Sequence, residues 1–318
     1  MASACTQNLN QTPVNSLVTI DSPLRNLNPQ TAKKPGLVLI QLLKDTRSQM
    51  FRSFVTHQKF HYLLWSTTRL WSDTSCPSCG CNMQVSTLKR KWLVTRLIEC
   101  SACGLRYRVP KLSQEQSDKF YQNDYSQGLT TEMPSVTELE QLKAANFKNT
   151  EKDYSKYLRT LSAAKIPVGA TILDFGCSWG YGSWQLVRAG YRVFSYEISK
   201  PRADYAKKYM GCRLLQNPAG QVVDCLFSAH VIEHLPDPCS LWRLAKTVVR
   251  PGGKVVLFTP DGDAVRHPQY HKWWGLAHPC LITTRWMDWA ATRAGFERQF
   301  VEADGEMTYV AQRNGGSG

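Results

Sequence analysis

The sequence predicts an α/β fold, a doubly wound and mostly parallel sheet preceded by a small cysteine-rich module. From Thr171 onward, apolar strand-like runs alternate with helical segments, which is the pattern of a parallel sheet with helices on both faces. Ahead of them stand two Cys-x2-Cys pairs, which indicate metal-binding turns. The 318 residues, 42% of them hydrophobic, suffice for a core of this size and an extension.

We divide the chain into five segments. Residues 1–35 predict a disordered polar tail punctuated by proline, and residues 36–72 place basic and aromatic side chains among apolar residues at helical spacing. Residues 73–112 contain the cysteine pairs, residues 113–165 predict a helical connector, and residues 166–314 hold the strand–helix alternation. The second segment predicts a basic amphipathic helix that lies on a membrane surface, binds a partner or packs on its own protein.

The alternation predicts the elements of the large sheet. Strands are predicted at Thr171–Phe175, Arg192–Tyr196, Val222–Ser228 and Lys254–Thr259. Helices are predicted between them, at residues 183–189, 201–210 and 239–249. The first strand ends in a glycine-rich turn, at the edge of the sheet where ligands bind in open parallel sheets.

Charge and cysteine content limit the partners and the compartment. The net charge is +14, and residues 1–110 carry 14 Lys and Arg against 4 Asp and Glu. A basic N-terminal third indicates an anionic partner such as nucleic acid, a membrane surface or a charged substrate, or else a solubilising surface. The absence of an 18-residue apolar run and of a secretory pattern predicts a cytoplasmic protein without a membrane span. Eleven cysteines, an odd number, favour a metal cluster in a reducing compartment over a disulfide scaffold.

Cys76, Cys79, Cys100 and Cys103 form two pairs, each within a knuckle-like turn. Four thiolates on two such turns complete a tetrahedron around zinc and leave no open position, which predicts a structural zinc ribbon. Cys81 is a spare thiol that could compete with Cys79. An iron–sulfur cluster and disulfides are the alternatives.

The glycine-rich turn spans residues 172–182 and contains Asp174. Such a turn lets the backbone approach a ligand and directs helix N-terminal amides at it. The next strand ends at Glu197, 21 residues beyond Gly176, where a carboxylate can accept both hydroxyls of a ribose. This spacing also suits a nicotinamide cofactor, but Asp174 would repel a pyrophosphate and the full G-x-G-x-x-G pattern is missing.

Four motifs in order resemble those of class I, Rossmann-like S-adenosylmethionine-dependent methyltransferases. They occupy residues 174–180, 195–199, 224–235 and 249–254. The resemblance covers about residues 150–313 and implies a seven-stranded, mostly parallel sheet. Ser178 stands where the family usually has glycine. The usual acid near the adenine is missing, and Gln216 or Asn217 could substitute for it.

The resemblance also implies contacts to S-adenosylmethionine. Asp174 and the backbone of residues 176–180 would hold the methionine portion, and Glu197 the ribose. Ile198 would flank the adenine. The implied cofactor-binding set is Asp174, Gly176, Cys177, Ser178, Gly180, Glu197, Ile198, Ser228 and Ala229.

Methyl transfer is an in-line displacement, so the protein mainly supplies positioning. A hydroxyl acceptor must also lose a proton, which favours a base or a metal ion. The candidate catalytic residues are His230, His234 and His278. By resemblance to quinone O-methyltransferases, His230, Glu233 and His234 could bind a divalent cation, or His234 could only brace its loop. His278 resembles a substrate-facing histidine of the family.

Three functions remain open after this resemblance. The first is O-methylation or N-methylation of a sugar, glycan or small metabolite, because the order of ribbon and catalytic domain resembles that of bacterial enzymes with such acceptors. Some ribosomal RNA methyltransferases share the order, so an RNA methyltransferase is the first alternative. Basic and aromatic residues that suit RNA flank the ribbon at Lys89, Arg90, Lys91, Trp92, Arg96, Arg106, Tyr107 and Arg108. A non-catalytic binding module with the methyltransferase fold is the second alternative.

Overall fold

The computed structural model describes Leu64 and residues 73–91, 95–124, 132–267, 270–275 and 277–315. All of them fall within the unit His57–Gly318. The predicted polar tail at residues 1–35 lies outside the described residues, as does the amphipathic segment at residues 36–72 apart from Leu64. Within the described part of the chain, no helix is both long and apolar enough to cross a membrane.

The cysteine-rich part forms an antiparallel sheet. Its strands are β1 (Val85–Lys91), β2 (Thr95–Cys100) and β3 (Arg106–Val109). A fourth strand, Cys280–Leu281 (β8), comes from far along the chain and pairs with β3. An open edge of β3 would leave backbone groups unpaired, and β8 pairs with them. We call the segment of residues 73–112 the ribbon. It was predicted as a module that only precedes the larger domain, but its sheet is completed by a strand of that domain.

Short helices follow the ribbon in the chain. They are α1 (Gln114–Lys119), α2 (Val136–Ala144) and α3 (Ser155–Ala163), with a π-helical turn at Phe120–Asp124. Both α1 and α2 begin with a capping box, in which a serine and a side chain three residues later each bond to the other's backbone N–H. These caps satisfy the free amides at the two helix starts.

The large sheet is built from the residues after Ala170. Its strands are β4 (Thr171–Phe175), β5 (Arg192–Tyr196), β6 (Val223–Ala229), β7 (Val249–Pro260), β9 (Phe296–Asp304) and β10 (Glu306–Arg313). The longer helices are α4 (Tyr181–Arg188), α5 (Lys200–Met210), α6 (Cys239–Val248) and α7 (Thr284–Ala294). Shorter helical turns lie at Pro218–Gly220, Ile232–His234 and Tyr270–Trp273. The predicted strands and helices are confirmed in this order, and β4 and β5 have the predicted bounds.

The strand order is β5–β4–β6–β7–β10–β9. The first four strands run parallel, and the last two are antiparallel to their neighbours. Where seven strands were expected, the described residues form six, with a single bridge from Leu214 to Ser195 beside β5. Pairing stops there because Asn217 caps the helical turn at Pro218–Gly220, which bends the chain away. The order reverses at β4, so a crevice is expected at the carboxyl ends of β4 and β6.

Helices and loops cover both faces of this sheet. Along β7, Val255 and Leu257 pack in one cluster while Val256 and Phe258 pack in the other, as the alternation of strand side chains requires. Burying one such side chain stabilises the fold by about 1.5–3 kcal/mol. The first cluster also contains Trp286 of α7 and three of the paired cysteines. The ribbon and the large sheet therefore share one core.

Candidate functional site

The glycine-rich turn between β4 and α4 depends on close packing. Gly176 has a φ of +83°, and a Cβ atom there would lie 2.3 Å from the side chain of Val231. Gly180 has a φ of +90°, and a Cβ atom there would lie 2.6 Å from the Sγ atom of Cys212. Both positions require glycine, because a side chain would be strained in conformation and would overlap its neighbour.

Ser178, the departure from the family motif, keeps the conformation of a glycine. Its φ of +53° lies in the left-handed region. Its backbone N–H donates to Oε2 of Glu197 over 2.9 Å, and its hydroxyl accepts from Nη1 of Arg202 over 2.5 Å. These two bonds offset the cost of a left-handed serine, which is about 1–2 kcal/mol. The substitution therefore preserves the turn.

Asp174 lies beneath the turn, at the end of β4, and is only 1% exposed. Its Oδ2 accepts from the hydroxyl of Ser183 over 2.6 Å, and that hydroxyl lies 2.8 Å from the hydroxyl of Ser195. Burial raises the pKa of Asp174 to about 7, although the bond from Ser183 opposes the shift. Asp174 therefore ties β4, α4 and β5 together below the predicted donor site.

Glu197 stands at the end of β5, beside the turn. Its Oε2 accepts from Ser178, and its Oε1 accepts from the backbone N–H of Ser199 over 2.8 Å. Burial raises the pKa of Glu197, and these backbone bonds and the nearby Arg202 oppose the rise. Each carboxylate oxygen retains a further lone pair, so Glu197 can still accept two hydroxyl groups. Ile198 offers a partly exposed apolar surface next to it.

The end of β6 forms the other side of the crevice. The hydroxyl of Ser228 donates to the carbonyl oxygen of Phe175 over 2.9 Å and so joins β6 to β4, while Ala229 is half-buried after it. Of the two substitutes for the adenine acid, Asn217 uses its side-chain oxygen to accept from Ala219, and Gln216 is exposed. Gln216 is therefore the better candidate of the two.

His230 lies just after β6, with a φ of +56°, between two carboxylates. Its Nε2 lies 2.7 Å from Oε1 of Glu306, and its Nδ1 lies 3.5 Å from Oε1 of Glu233. Lys156 forms an ion pair with the same Glu306. Burial opposes the charged ring, but the bonds to Glu233 and Glu306 outweigh burial and raise the pKa of His230 to about 10. At neutral pH His230 is a cation that donates from Nε2 to Glu306, so it is unsuited to accept a proton or ligate a metal.

His234 and His278 differ from His230 in their hydrogen bonds. Nδ1 of His234 donates to the carbonyl oxygen of Ala277 over 2.8 Å, and Nδ1 of His278 donates to that of Trp273 over 2.6 Å. The bonds fix the tautomer of each ring and leave Nε2 with a lone pair. The ring centroids lie 4.4 Å apart, and the planes are nearly perpendicular. Burial lowers the pKa of His234 to about 4, so this ring is neutral.

The structure changes the set of side chains that could ligate a cation. The set predicted by resemblance was His230, Glu233 and His234, whereas the donor atoms that lie within 4.8 Å of one another belong to Glu233, His234 and His278. Oε2 of Glu233 accepts from the hydroxyl of Thr259 over 3.0 Å, which fixes the carboxylate. His230 is excluded because Glu306 engages its Nε2.

The four paired cysteines meet in one cluster, with all Sγ atoms within 4.8 Å of one another. Cys76 and Cys103 are 3.5 Å apart, and so are Cys79 and Cys100. A disulfide requires about 2.05 Å, whereas thiolates about 2.3 Å from a tetrahedral zinc lie about 3.8 Å apart. The separations therefore fit a metal better than disulfides. Cys81 does not belong to the cluster.

Helix α7 holds both cysteine turns. Nε1 of Trp286 donates to the hydroxyl of Ser78 over 3.0 Å, in the first turn. The hydroxyl of Thr283 donates to the carbonyl oxygen of Gly104 over 2.8 Å, in the second turn. The cluster is thereby anchored to the larger domain.

Several basic and aromatic residues of the ribbon point inward. Arg108 and Tyr107 are each 1% exposed. The hydroxyl of Tyr107 donates to the carbonyl oxygen of Thr74, and Arg106 lies 2.5 Å from Glu99. These side chains, expected on a nucleic-acid surface, are engaged within the protein. Trp92 lies outside the described residues.

Sequence reasoning missed residues that complete the site from distant positions. Glu306 of β10 bonds to His230, Thr259 of β7 bonds to Glu233, and Ser183 of α4 bonds to Asp174. Their partners are 76, 26 and 9 residues away in the chain. Only Ser183, in the first turn of the helix that follows the glycine-rich turn, lies where a local pattern could have indicated it.

A family model for the methyltransferase domain matches residues 141–299, half of the chain. The chain belongs to this methyltransferase family. The match confirms the predicted methyltransferase fold and enzyme class. It supports S-adenosylmethionine, rather than a nicotinamide, as the cofactor.

Known proteins similar to this methyltransferase act on different acceptors. The ubiquinone biosynthesis O-methyltransferase of Xanthomonas axonopodis pv. citri is 29% identical over 115 residues, which are 32% of this chain and 48% of the relative. The tRNA U34 carboxymethyltransferase of Marinobacter nauticus is 30% identical over 172 residues, which are 46% of this chain and 49% of the relative. The chain thus spans about half the length of these curated relatives.

Solved methyltransferase structures also align with part of the chain. The S-adenosylmethionine-dependent methyltransferase of Mesorhizobium loti aligns with a TM-score of 0.42 and 17% identity. The alignment covers 51% of this chain and all of that one.

Proposed function

We propose that this methyltransferase transfers the methyl group of S-adenosylmethionine to an oxygen, or a nitrogen, of a sugar, glycan or small metabolite. The observation that carries the proposal is the pair His234 and His278. Each ring donates through Nδ1 to a backbone carbonyl and keeps an Nε2 lone pair close to Glu233, at the carboxyl edge of the sheet. A hydroxyl acceptor must lose a proton, and a neutral imidazole is suited to accept it.

The donor side follows the motif residues. We assign the methionine portion to the turn after Asp174 and the ribose hydroxyls to the free lone pairs of Glu197. We assign the adenine to the surface of Ile198, with Ser228 and Ala229 as the floor. When bound, S-adenosylmethionine supplies an activated methyl carbon, so these residues act by holding it in line with the acceptor.

On the acceptor side, we assign the proton to Nε2 of His278. The low pKa of His234 keeps that ring neutral but makes it a weak proton acceptor. His230, a cation between Glu233 and Glu306, can donate a hydrogen bond to an acceptor oxygen. The three histidines therefore divide into one hydrogen-bond donor, His230, and a pair, His234 and His278, whose Nδ1 atoms bond to backbone carbonyls.

Alternatively, His234 and His278 bind a divalent cation. Oε1 of Glu233 is buried without a hydrogen-bond partner among the described residues, and His230 approaches it only to 3.5 Å. An ion held by Glu233, His234 and His278 would occupy both Nε2 lone pairs and exclude the base role. Loss of activity on chelation, with donor affinity unchanged, would favour the ion.

We propose a structural zinc ion for the cysteine cluster. Four sulfur donors with near-tetrahedral separations favour zinc, and four protein ligands leave no position for a substrate. The cluster sits in the shared core rather than at the carboxyl edge of the large sheet. Its role would be to hold the ribbon against α7.

An RNA acceptor is the second candidate, and two observations favour it. One similar relative is a tRNA-modifying enzyme, and Lys89 and Arg90 on β1 are exposed. The inward direction of Arg106, Tyr107 and Arg108 reduces the surface available to RNA. RNA binding would be salt-sensitive, whereas binding of a neutral small acceptor would not be.

Donor binding tests the proposal first. Calorimetry with S-adenosylhomocysteine should show binding to the wild type and none to Glu197→Ala or Asp174→Ala. Glu302→Ala, which removes an exposed acid on β9, is the matched control and should bind normally. Unchanged affinity in both site variants would refute the donor assignment.

The acceptor requires a transfer assay. Tritiated S-adenosylmethionine is incubated with the full chain and cell extract, and label is counted in RNA, protein, lipid, glycan and small-molecule fractions. Label in the glycan or small-molecule fraction supports the proposal, and label in RNA supports the second candidate. Donor binding without label in any fraction would support the non-catalytic module.

A further inference from the structure

We propose that Arg108 is a positioning residue that fixes His234 and His278, and that this is the contribution of the ribbon to catalysis. The proposal rests on the proposed function only for the chemical use of the two histidines. The geometry that carries it is independent of the acceptor.

Arg108 is hydrogen-bonded to the chain on both sides of His278, at Gly275 and at Pro279, and in this sense brackets the loop. Its backbone N–H donates to the carbonyl oxygen of Pro279 over 2.8 Å, which continues the pairing of β3 with β8. Its guanidinium Nη1 donates to the carbonyl oxygen of Gly275. Ala277 and His278 lie between these two anchors, so one residue of the ribbon holds both ends of the loop.

The bracketed loop in turn orients both histidines. Its Ala277 carbonyl accepts from Nδ1 of His234 over 2.8 Å. Nδ1 of His278 donates to the carbonyl oxygen of Trp273, just before the bracket, over 2.6 Å. Each bond sets the tautomer and the rotation of its ring. A shift of the loop would therefore displace both Nε2 atoms together, and displacements of about 1 Å are costly to catalysis.

The burial of Arg108 is difficult to explain by packing alone. Leu97 of β2, directly opposite Arg108 on the same face of the sheet, is fully buried, so an apolar side chain would fit the surroundings. Burying a guanidinium costs free energy unless its N–H groups find acceptors. The carbonyl oxygen of Gly275 is such an acceptor for Nη1, and the planar guanidinium holds that donor in a fixed orientation. The contact with Gly275 therefore gives the buried guanidinium a role that an apolar side chain could not supply.

Other basic side chains of the ribbon contact neighbouring parts of the chain, before Gly275. Arg106, two residues away on the same face of β3, donates to the carbonyl oxygen of Gly262. Nζ of Lys91 lies 3.3 Å from the carbonyl oxygen of His271 and 3.5 Å from that of Trp274. Part of the positive charge of the ribbon is thus directed at the acceptor-side loop rather than at an anionic partner.

Histidine NMR on the full chain tests the proposal. In protein labelled with 15N at histidine, the ring signals distinguish an Nδ1–H from an Nε2–H tautomer. The wild type should show Nδ1–H for His234 and His278. Arg108→Met should average both rings between tautomers while the Kd for S-adenosylhomocysteine stays within about twofold. Arg106→Met, which removes a loop contact of the same kind outside the bracket, is the matched control and should leave both tautomers intact.

The conservative variant supplies the rescue. Arg108→Lys keeps a donor near Gly275 and should retain part of the Nδ1–H signals. Unchanged ring signals in Arg108→Met, or equal changes in Arg106→Met, would overturn the proposal. If Arg108→Met does not fold, the Arg108→Lys variant supplies the test. In that variant the ring signal of His278 must shift from its wild-type position by more than the ring signal of the exposed His271 does. A wild type that fails to bind S-adenosylhomocysteine would contradict the proposed function alone, since the tautomers are measured without ligand.

Discussion

Ser178 and Glu197 are joined by a hydrogen bond of 2.9 Å, from the backbone N–H of the serine to Oε2 of the glutamate. The bond connects the turn after β4 with the end of β5, so two separate motifs form one surface. A second backbone N–H, from Ser199, occupies the other carboxylate oxygen. The acid is therefore both a structural acceptor and the assigned ribose ligand.

Replacing this carboxylate by an amide should damage both roles. In Glu197→Gln, either orientation of the amide presents NH2 to a backbone N–H of Ser178 or Ser199. We expect a loss of stability of about 1–3 kcal/mol and a donor affinity at least about tenfold weaker. Thermal unfolding and calorimetry measure the two effects. Glu302→Gln on β9 is the control, and a wild-type affinity in the Glu197 variant would contradict the role of the charge.

The glycine turn should respond to crowding as well as to backbone strain. Gly180→Ala places a Cβ atom 2.6 Å from the sulfur of Cys212 at a φ of +90°. Gly211→Ala has a comparable φ of +67° with no atom within 4 Å of its Cβ, so it reports strain alone. We expect about 1 kcal/mol of destabilisation at Gly211 and about 1–3 kcal/mol more at Gly180. Urea unfolding measures the free energy of unfolding of both variants, and equal losses would show that packing against Cys212 is unimportant.

Asp174 should make the stability of the donor-free protein pH-dependent. Burial raises its pKa in the fold to about 7, above the ordinary value of 3.8, so the folded state binds the proton more tightly than the unfolded chain. The stability from this site is therefore complete below about pH 4 and is lost as the pH rises through about 7.

Asp174→Asn should remove this dependence. Relative to the wild type, the variant should gain on the order of 2–3 kcal/mol between pH 5 and pH 8, measured by urea unfolding without donor. It should bind donor more weakly at every pH. A stability difference that stays constant over this range would show that Asp174 is ionised in the folded protein.

The cysteine cluster can be tested with a thiol that lies outside it. Cys103→Ser should lose the metal and destabilise the protein, because Cys103 is buried in the shared core. Cys81→Ser should retain both metal content and stability, since Cys81 does not belong to the cluster. Elemental analysis of freshly purified protein should find one zinc per wild-type chain. If the purified wild-type protein contains no metal and its melting temperature does not change when zinc is added, a structural zinc is excluded.

The elements with local signals were predictable from the sequence. β4 and β5 are short apolar runs bounded by turn residues, and their bounds follow from the pattern. The cysteine cluster was equally local, because each pair sits on its own turn. β9 was missed because most of its side chains are exposed, which leaves no alternation to detect.

The parts that depend on distant contacts were not predictable. β8 has only two residues and exists because β3 offers an open edge. The pairing of His230 with Glu306 crosses 76 residues, so nothing in the local sequence showed that His230 is charged. The same contact removed His230 from the cation ligands, whereas His278 joins the set because its donor atom lies within 4.8 Å of those of Glu233 and His234.

The pairing of β8 with β3 also bears on how such a chain can be cut or recombined. A shortened protein that begins after the ribbon would leave the edge of β8 bare, remove the partner of Trp286 and expose the apolar surface that the cysteine turns cover. Exchanging the ribbon for that of a relative would require the stretch that pairs with it, which includes β8, to be exchanged as well. The structural unit around the cysteine cluster is therefore discontinuous in the chain, and its two stretches depend on each other for their packing.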